Sequence, residues 1–209
     1  MNATSNLHFG FIFGAEENWE KNENGEPVKL LAPNNAAYVP HTLAVVEILS
    51  AASIADSAFA GCEGITEIVL PENVSKIGEY AFDGCTGLTA VIFPDLDKWC
   101  AIEFANYSAN PLANAHKLYI ADSETPLTSL NITSGEILPY SFYGATDLVE
   151  IVIGEGVKRI GHDAFAKCTS LSKVSLPSTL EIIGARAFID CDNIDIVAIS
   201  DVAKWCTES

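Results

Sequence analysis

Twenty-three residues after Ile65, the chain begins again. Ile65, Ile68 and Leu70 are answered by Leu88, Val91 and Phe93; Ala58-Phe59 returns as Ala81-Phe82, and Ala164-Phe165 as Ala187-Phe188, each pair of phenylalanines 23 positions apart. A unit this short cannot bury its own apolar face. Copies of fixed length must therefore stack, and their stacking makes a solenoid with one continuous core. No other feature of the chain narrows its fold so far.

The spacing L-x-x-I-x-L supplies the strands. It occurs as Leu43/Val46/Ile48, Ile65/Ile68/Leu70, Leu88/Val91/Phe93, Leu127/Leu130/Ile132, Leu148/Ile151/Ile153, Leu171/Val174/Leu176 and Ile194/Val197/Ile199. The last two residues of each set lie two apart, the period of a strand with one buried face. Stacked in register, these strands form a parallel sheet. Leu70-Pro71 and Leu176-Pro177 end their strands with a residue that cannot donate to the next rung. The step Val74…Ile77-Gly78 is expected to turn the chain, with glycine taking positive φ at little cost. The piece Ala81-Phe82…Cys85 reads as a short helical or turn segment on the outer side, its phenylalanine plugging the gap between layers.

Two stretches depart from the period. Residues 15–37 contain Glu16 to Lys29, a charged run with an Asn24-Gly25 turn signal, read as an exposed variable insertion. Residues 95–120 form a longer variant coil, since Phe82 to Phe142 spans 60 positions, which 23 does not divide. Within it, Pro111 followed by Leu112-Ala113-Asn114-Ala115 predicts a short helix begun at Ser108 or Asn110. Leu118 and Ile120 predict a further strand, with 121–125 as a turn. The variant coil also starts a second time: Asp95, Lys98, Trp99 and Cys100 return as Asp201, Lys204, Trp205 and Cys206, an offset of 106. The expectation is one right-handed solenoid over 1–209, of about seven or eight coils. No polar cap is visible over its last coil, so it reads as a fragment of a longer chain.

Composition limits the partners. Against 28 acidic residues stand 11 basic ones, a net charge of −17 that repels nucleic-acid phosphates and anionic membrane surfaces. Mean hydropathy is +0.23, yet no apolar run approaches the roughly 20 residues of a membrane helix. The first residues lack the basic start and apolar core of a secretory signal.

The stretches IGEYAFDGCTGLTAVIFP and LPSTLEIIGARAFIDC resemble the BspA-like, or treponemal-type, leucine-rich repeats. So do WCAIEFANYSANPLANAHKLYI and LHFGFIFG…NNAAYVPHTL. The chain departs from the pattern at Ser141, where alanine is usual before phenylalanine, and at Ala145, where cysteine is usual. The resemblance implies an α/β leucine-rich-repeat solenoid, with a parallel β-sheet on its concave face and short helices or turns on its convex face. It also implies a surface or secreted protein of host-associated bacteria, located extracellularly or at the cell surface. Such a protein binds another protein, for example of the host extracellular matrix or cell surface, and is not an enzyme.

Chemical constellations are sparse. Cys62, Cys85, Cys168 and Cys191 share one repeat position, and Cys100 and Cys206 follow tryptophans. Equivalent side chains on rungs about 4.8 Å apart point the same way, a poor arrangement for disulfides. Free buried thiols are expected instead. No C-x-x-C zinc spacing occurs. His8, His41, His116 and His162 occupy different repeat positions, and His162-Asp163 reads as a solvated pair on a turn. Glu16/Glu17 and Asp95/Asp97 read as charge on exposed segments. No nucleophile elbow, zinc-protease or phosphate-loop pattern appears, so neither a cofactor nor a metal is implied. The sequons at Asn2, Asn73, Asn106 and Asn131 are read as chance matches in a bacterial chain.

A binding surface follows from alternation. With the core residues inward, the outward pairs on the concave face are Val45/Glu47, Glu67/Val69, Ala90/Ile92, Ser129/Asn131, Glu150/Val152 and Lys173/Ser175, then Ile196/Ala198. Val69, Ile92 and Val152 form an apolar line flanked by Glu67 and Glu150, suited to a protein partner; the preference of sheets for β-branched residues gives the same line without a partner. The insertions at 15–37 and 100–116 are competing surfaces. Two other functions stay open: a structural spacer presenting other domains, and a carbohydrate-binding module. The module needs exposed rings at Trp19, Trp99 or Trp205, and burial is expected for the last two.

Overall fold

The structure, a computed structural model, describes residues 43–121 and 123–201 together with the backbone of two short strands before them. Those two, β1 (Trp19–Lys21) and β2 (Pro27–Lys29), pair antiparallel on either side of Asn24-Gly25. The charged composition of that stretch carries no sign of a strand pair. The solenoid then runs through β3 (Val45–Glu47), β4 (Ser53–Ile54), β5 (Glu67–Val69), β6 (Lys76–Ile77) and β7 (Ala90–Phe93). The variant coil contributes α1 (Leu96–Cys100), β8 (Glu103–Phe104), a 3-10 turn (Tyr107–Ala109), α2 (Leu112–Ala115) and β9 (Leu118–Ile120). After it come β10 (Ser129–Ile137), β11 (Glu150–Ile160), β12 (Lys173–Leu176), β13 (Ile182–Ile183) and β14 (Ile196–Ile199).

The expected parallel-strand solenoid is present. Val46 pairs with Ile68 and Ile68 with Val91; further on, Ile151 pairs with Val174 and Val174 with Val197. A second parallel ladder, β4–β6–β8, aligns Ile54 with Ile77 and Ile77 with Phe104. In the later coils the far ends of β10 and β11 take this role with β13, through Ile137, Ile160 and Ile183. One buried cluster runs from Val46 to Cys191. Because successive coils are near-translations of one another, their phenylalanines stack almost parallel: Phe59 on Phe82 at 5.1 Å and 8°, Phe142 on Phe165 at 5.2 Å and 2°, Phe165 on Phe188 at 5.3 Å and 8°.

The turn segments are not helices, for a reason visible in their backbone. Ser57, Tyr80, Tyr140, Asp163 and Arg186 are left-handed, and so are the residues four positions on: Gly61, Gly84, Gly144, Lys167 and Asp190. Left-handed residues at that interval stop helix propagation. They also divide the amides into two sets. Ala58, Ala60 and Cys62 donate within the turn, while Ser57, Phe59 and Gly61 donate at 2.9, 2.8 and 2.7 Å to Glu79, Ala81 and Asp83 of the next coil. The cysteine position completes the pattern. Cys85, Cys168 and Cys191 donate their thiols to the carbonyls of Phe59, Phe142 and Phe165 at 3.0, 3.3 and 3.0 Å. All five cysteines among the described residues are free and buried, as expected; Cys206 lies outside them.

Two expectations need correction. Gly78 is not a left-handed residue. It is glycine because the preceding coil passes so close that a Cβ would stand 2.5 Å from the Asp56 amide nitrogen and 2.8 Å from the Ala55 carbonyl carbon. Nor is the strand face one sheet. After β9 the chain reverses, with Ser123 N donating to Ile120 O at 3.2 Å and Leu127 N to Leu118 O at 2.7 Å. The hydrogen-bonded ladder β3–β5–β7–β9 stops there, and β10–β11–β12–β14 forms a separate one.

Candidate functional site

Strand pairing sets the outward residues in rows. In the first ladder, Glu47, Val69, Ile92 and Tyr119 lie side by side on consecutive rungs, and Val45, Glu67 and Ala90 form the neighbouring row. In the second, Asn131, Val152, Ser175 and Ala198 form one row, and Ser129, Glu150, Lys173 and Ile196 the other. Val45, Glu47, Ser129 and Asn131 are exposed; Glu67, Val69, Ala90, Ile92, Glu150, Val152, Lys173 and Ser175 are partly buried. The apolar line is therefore in two pieces. Val69 and Ile92 are contiguous and extended by Tyr119, a residue hidden from sequence reasoning because β9 breaks the L-x-x-I-x-L spacing. Val152 stands on the other ladder between polar neighbours. Lys173 lies 2.6 Å from Glu150, so that carboxylate already has an ion-pair partner.

The variant coil meets the following coil through backbone bonds, Leu138 N to Cys100 O at 3.0 Å and Leu127 N to Leu118 O at 2.7 Å, and in addition through buried side chains. Asp97 is exposed as expected, whereas Asp95 is partly buried and caps α1, its carboxylate accepting from Lys98 N at 2.9 Å. That short helix delivers Trp99 into the core, fully buried against Phe93 and Phe104, with centroids 5.5 Å away in each case. Its indole N–H donates to Ser141 O at 2.7 Å. Asn110, also fully buried, donates to Tyr140 O at 2.6 Å and to Ser141 O at 3.1 Å, and accepts from Leu112 N at 2.9 Å at the start of α2. His116 Nδ1 lies 2.9 Å from Gly144 O. Ser141 is thus the receiving position for α1, and its own hydroxyl donates to Leu138 O at 2.7 Å. The usual alanine would keep the carbonyl that receives Trp99 and lose only the hydroxyl's bonds to Leu138 O and, at 3.4 Å, to Cys100 O.

On the turn face beside this junction lies a cavity of about 440 Å³, lined by residues from Asp83 to Asp190 and including Tyr107 of the 3-10 turn. It spans the coil before the 100–116 insertion, the insertion itself and the coils after it. Asp163 lies further along the same face. It is buried, with Arg186 Nε and Nη2 on its two oxygens at 2.9 and 2.7 Å and His162 Nδ1 at 3.1 Å. The expected solvated pair is thus a buried carboxylate bridged to an arginine one coil later. The Arg186 hydrogen bonds hold its pKa below the usual aspartate value. Burial pushes the Cys85 and Cys100 thiols up to about 12, the range of inert core cysteines.

Among the described residues, no group of three or more His, Cys, Asp and Glu side chains could hold a metal ion, and no helix is long and apolar enough to cross a membrane. The side chain of Trp19, and all of His8, His41 and Trp205, lie outside the described residues.

Solved structures similar to the chain include a leucine-rich repeat protein of T. pallidum, 27% identical over 75% of this chain and 58% of that one, with a TM-score of 0.35. A leucine rich cell surface protein from Faecalibacterium prausnitzii is 24% identical over 91% and 40%, with a TM-score of 0.36. A leucine-rich repeat protein from Bacteroides ovatus is 21% identical over 76% and 47%, with a TM-score of 0.44. The chain spans about half the length of these relatives. None of the curated proteins matches it. The profile of the BspA type leucine rich repeat region matches six copies, over residues 45–117 and 123–208. The chain belongs to the BspA-type leucine-rich repeat family.

Proposed function

We propose that the chain is a non-enzymatic, protein-binding solenoid of a bacterial cell-surface or secreted protein, adhering to or recognising host proteins through its strand face. Family membership supports a protein-interaction scaffold in general. The observation that carries the finer reading is the row Val69, Ile92 and Tyr119 on three consecutive rungs, with Glu47 and Glu67 beside it. Apolar residues ringed by charge, on a rigid sheet whose backbone is already paired, offer a preorganised surface. With a net charge of −17, the fitting partner presents a small apolar protrusion within a basic rim.

The test is surface plasmon resonance against a panel of host extracellular matrix proteins. Saturable binding is expected, weakening with added salt. It should fall roughly tenfold or more in Val69→Lys, as it does when a central anchor of an interface is replaced. Val152→Lys alone has the smaller effect, because Val152 stands on the other ladder. Unchanged saturable binding in the double variant sinks the strand-face reading, and no saturable binding at all favours a structural spacer. The carbohydrate reading based on tryptophan loses one of its residues, since Trp99 is fully buried.

A further inference from the structure

The turn-face cavity beside the junction has a chemistry unlike that of the strand rows. It reaches from Asp83 in one coil, past the variant coil, to Asp190 three coils beyond it. At roughly 4.8 Å per rung it is a groove about 20 Å long, running along the solenoid. Its volume of about 440 Å³ falls in the range of small-molecule sites, roughly 300–1,000 Å³. Tyr107, half exposed, stacks on Tyr143 with centroids 5.3 Å apart at 29°. The Lys167 ammonium lies 5.4 Å from the Tyr143 centroid. With Tyr140 edge-on against it at 6.3 Å, Tyr143 is engaged by three neighbours, and Tyr107 is the ring presented to solvent. The 3-10 turn that carries it is fixed by Asn106, whose side chain accepts from Ala109 N at 2.9 Å. Asn114 is held as well, its amide donating to Phe82 O at 2.8 Å.

Three observations select the ligand. First, the backbone amides of the groove wall are already used: Gly144 N donates to Ala166 O at 2.9 Å and Lys167 N to Ile189 O at 2.8 Å. A peptide therefore finds no strand edge to extend, which is how an extended chain is usually held on a β protein. Second, the charged groups are two carboxylates, Asp83 and Asp190, against one ammonium, in a chain of net charge −17. Sulfated or sialylated ligands are repelled. Third, a presented aromatic ring is surrounded by carboxylate, amide and hydroxyl groups that both accept and donate. A sugar ring matches that pattern, with an apolar C–H face to lie on tyrosine and a rim of hydroxyls needing both kinds of partner.

We propose that this groove binds a neutral oligosaccharide, with Tyr107 as the stacking platform and Asp83, Asn114 and Asp190 as its hydrogen-bonding rim. The site is separate from the strand face and uses none of the tryptophans.

The test is isothermal titration of the chain with neutral gluco-, galacto-, manno- and xylo-oligosaccharides, alongside sialylated and sulfated glycans and a pool of extended peptides. At least one neutral oligosaccharide is expected to bind saturably. Tyr107→Ala should weaken it at least roughly tenfold, the scale of removing an aromatic anchor, while Tyr107→Trp retains it. Asp190→Asn, at an exposed position, provides a second variant, with weakening expected and the thermal transition unchanged. The Val69→Lys, Val152→Lys variant should bind the sugar normally, so the strand face and the groove stand or fall separately. Failure of every neutral oligosaccharide, binding indifferent to Tyr107→Ala, or binding through Tyr107 of only peptides or anionic glycans would each overturn the proposal.

Discussion

At the scale of single residues, Asp163 shows how the repeat ties charge to conformation. Its φ is 53°, a left-handed backbone that aspartate and asparagine tolerate better than most residues. That conformation lets a side chain on one coil meet Arg186 one repeat further on, 23 positions away. Because the Arg186 hydrogen bonds lower its pKa in the folded state, the stabilisation is present above the unfolded value of about 3.9. It is lost as pH falls from there through the folded value. Asp163→Asn should therefore be less stable than the parent at neutral pH, with the difference shrinking in acid below about pH 4. Urea unfolding at a series of pH values checks this; a gap independent of pH would show that the charge contributes nothing. The sequence placed Asp163 on a turn. The 23-residue period sets Arg186 at the same position of the next coil, but the burial of the Asp163 carboxylate is not written in that period.

At the scale of elements, the variant coil adds a specific mechanism to a general one. Regular coils are joined by backbone amides, a bond any sequence can make. The junction relies in addition on Trp99, Asn110 and His116 reaching the carbonyls of Ser141, Tyr140 and Gly144. Asn110→Ala leaves the buried Leu112 amide without its acceptor, while Tyr140 O keeps Tyr143 N at 3.0 Å and Ser141 O keeps the Trp99 indole. A loss of about 1–3 kcal/mol in urea unfolding is expected for the orphaned amide, whereas Asn73→Ala, on an exposed turn, should be close to neutral. A comparable loss in both would remove the junction's special role. The helix after Pro111 was legible because proline and a run of good helix formers are local signals. The helix at Leu96–Cys100 was not, since Asp95 as cap only makes sense once Trp99 has a place to go. Gly78 and the left-handed positions were hidden likewise: both follow from how close the next coil passes, which a repeat period implies without measuring.

Across the whole molecule, stability is a chain of nearest-neighbour interfaces, and the thiols report on it position by position. Cys85, Cys100 and Cys168 are at most 1% exposed, so an aromatic disulfide reagent at pH 8 should label none of them in the native protein. As urea rises, Cys62 and Cys191, the least buried of the five at 7% and 8% exposed, should react before them. Mass spectrometry of labelled peptides gives the order, and simultaneous labelling of all five described thiols would mean a single cooperative unit instead. The architecture was legible at this scale because the apolar positions recur, and each recurrence restates which face is inward. The row of Val69, Ile92 and Tyr119 was only half legible, since Tyr119 belongs to the one strand that breaks the period.

The two kinds of joint also differ in how they can be inherited. A coil attached by backbone bonds can be copied or deleted singly, because every regular coil repeats the same core and close-approach positions, such as Phe82 and Gly78. The variant coil's Trp99 and Asn110 need main-chain carbonyls placed where Ser141 and Tyr140 hold them, so a copy made without a following coil in that register would leave a buried tryptophan and asparagine with nothing to bind. Such a lock has to be duplicated together with its key. The motif Asp95-Lys98-Trp99-Cys100 recurs as Asp201-Lys204-Trp205-Cys206 at an interval of 106 residues, a cassette long enough to carry both.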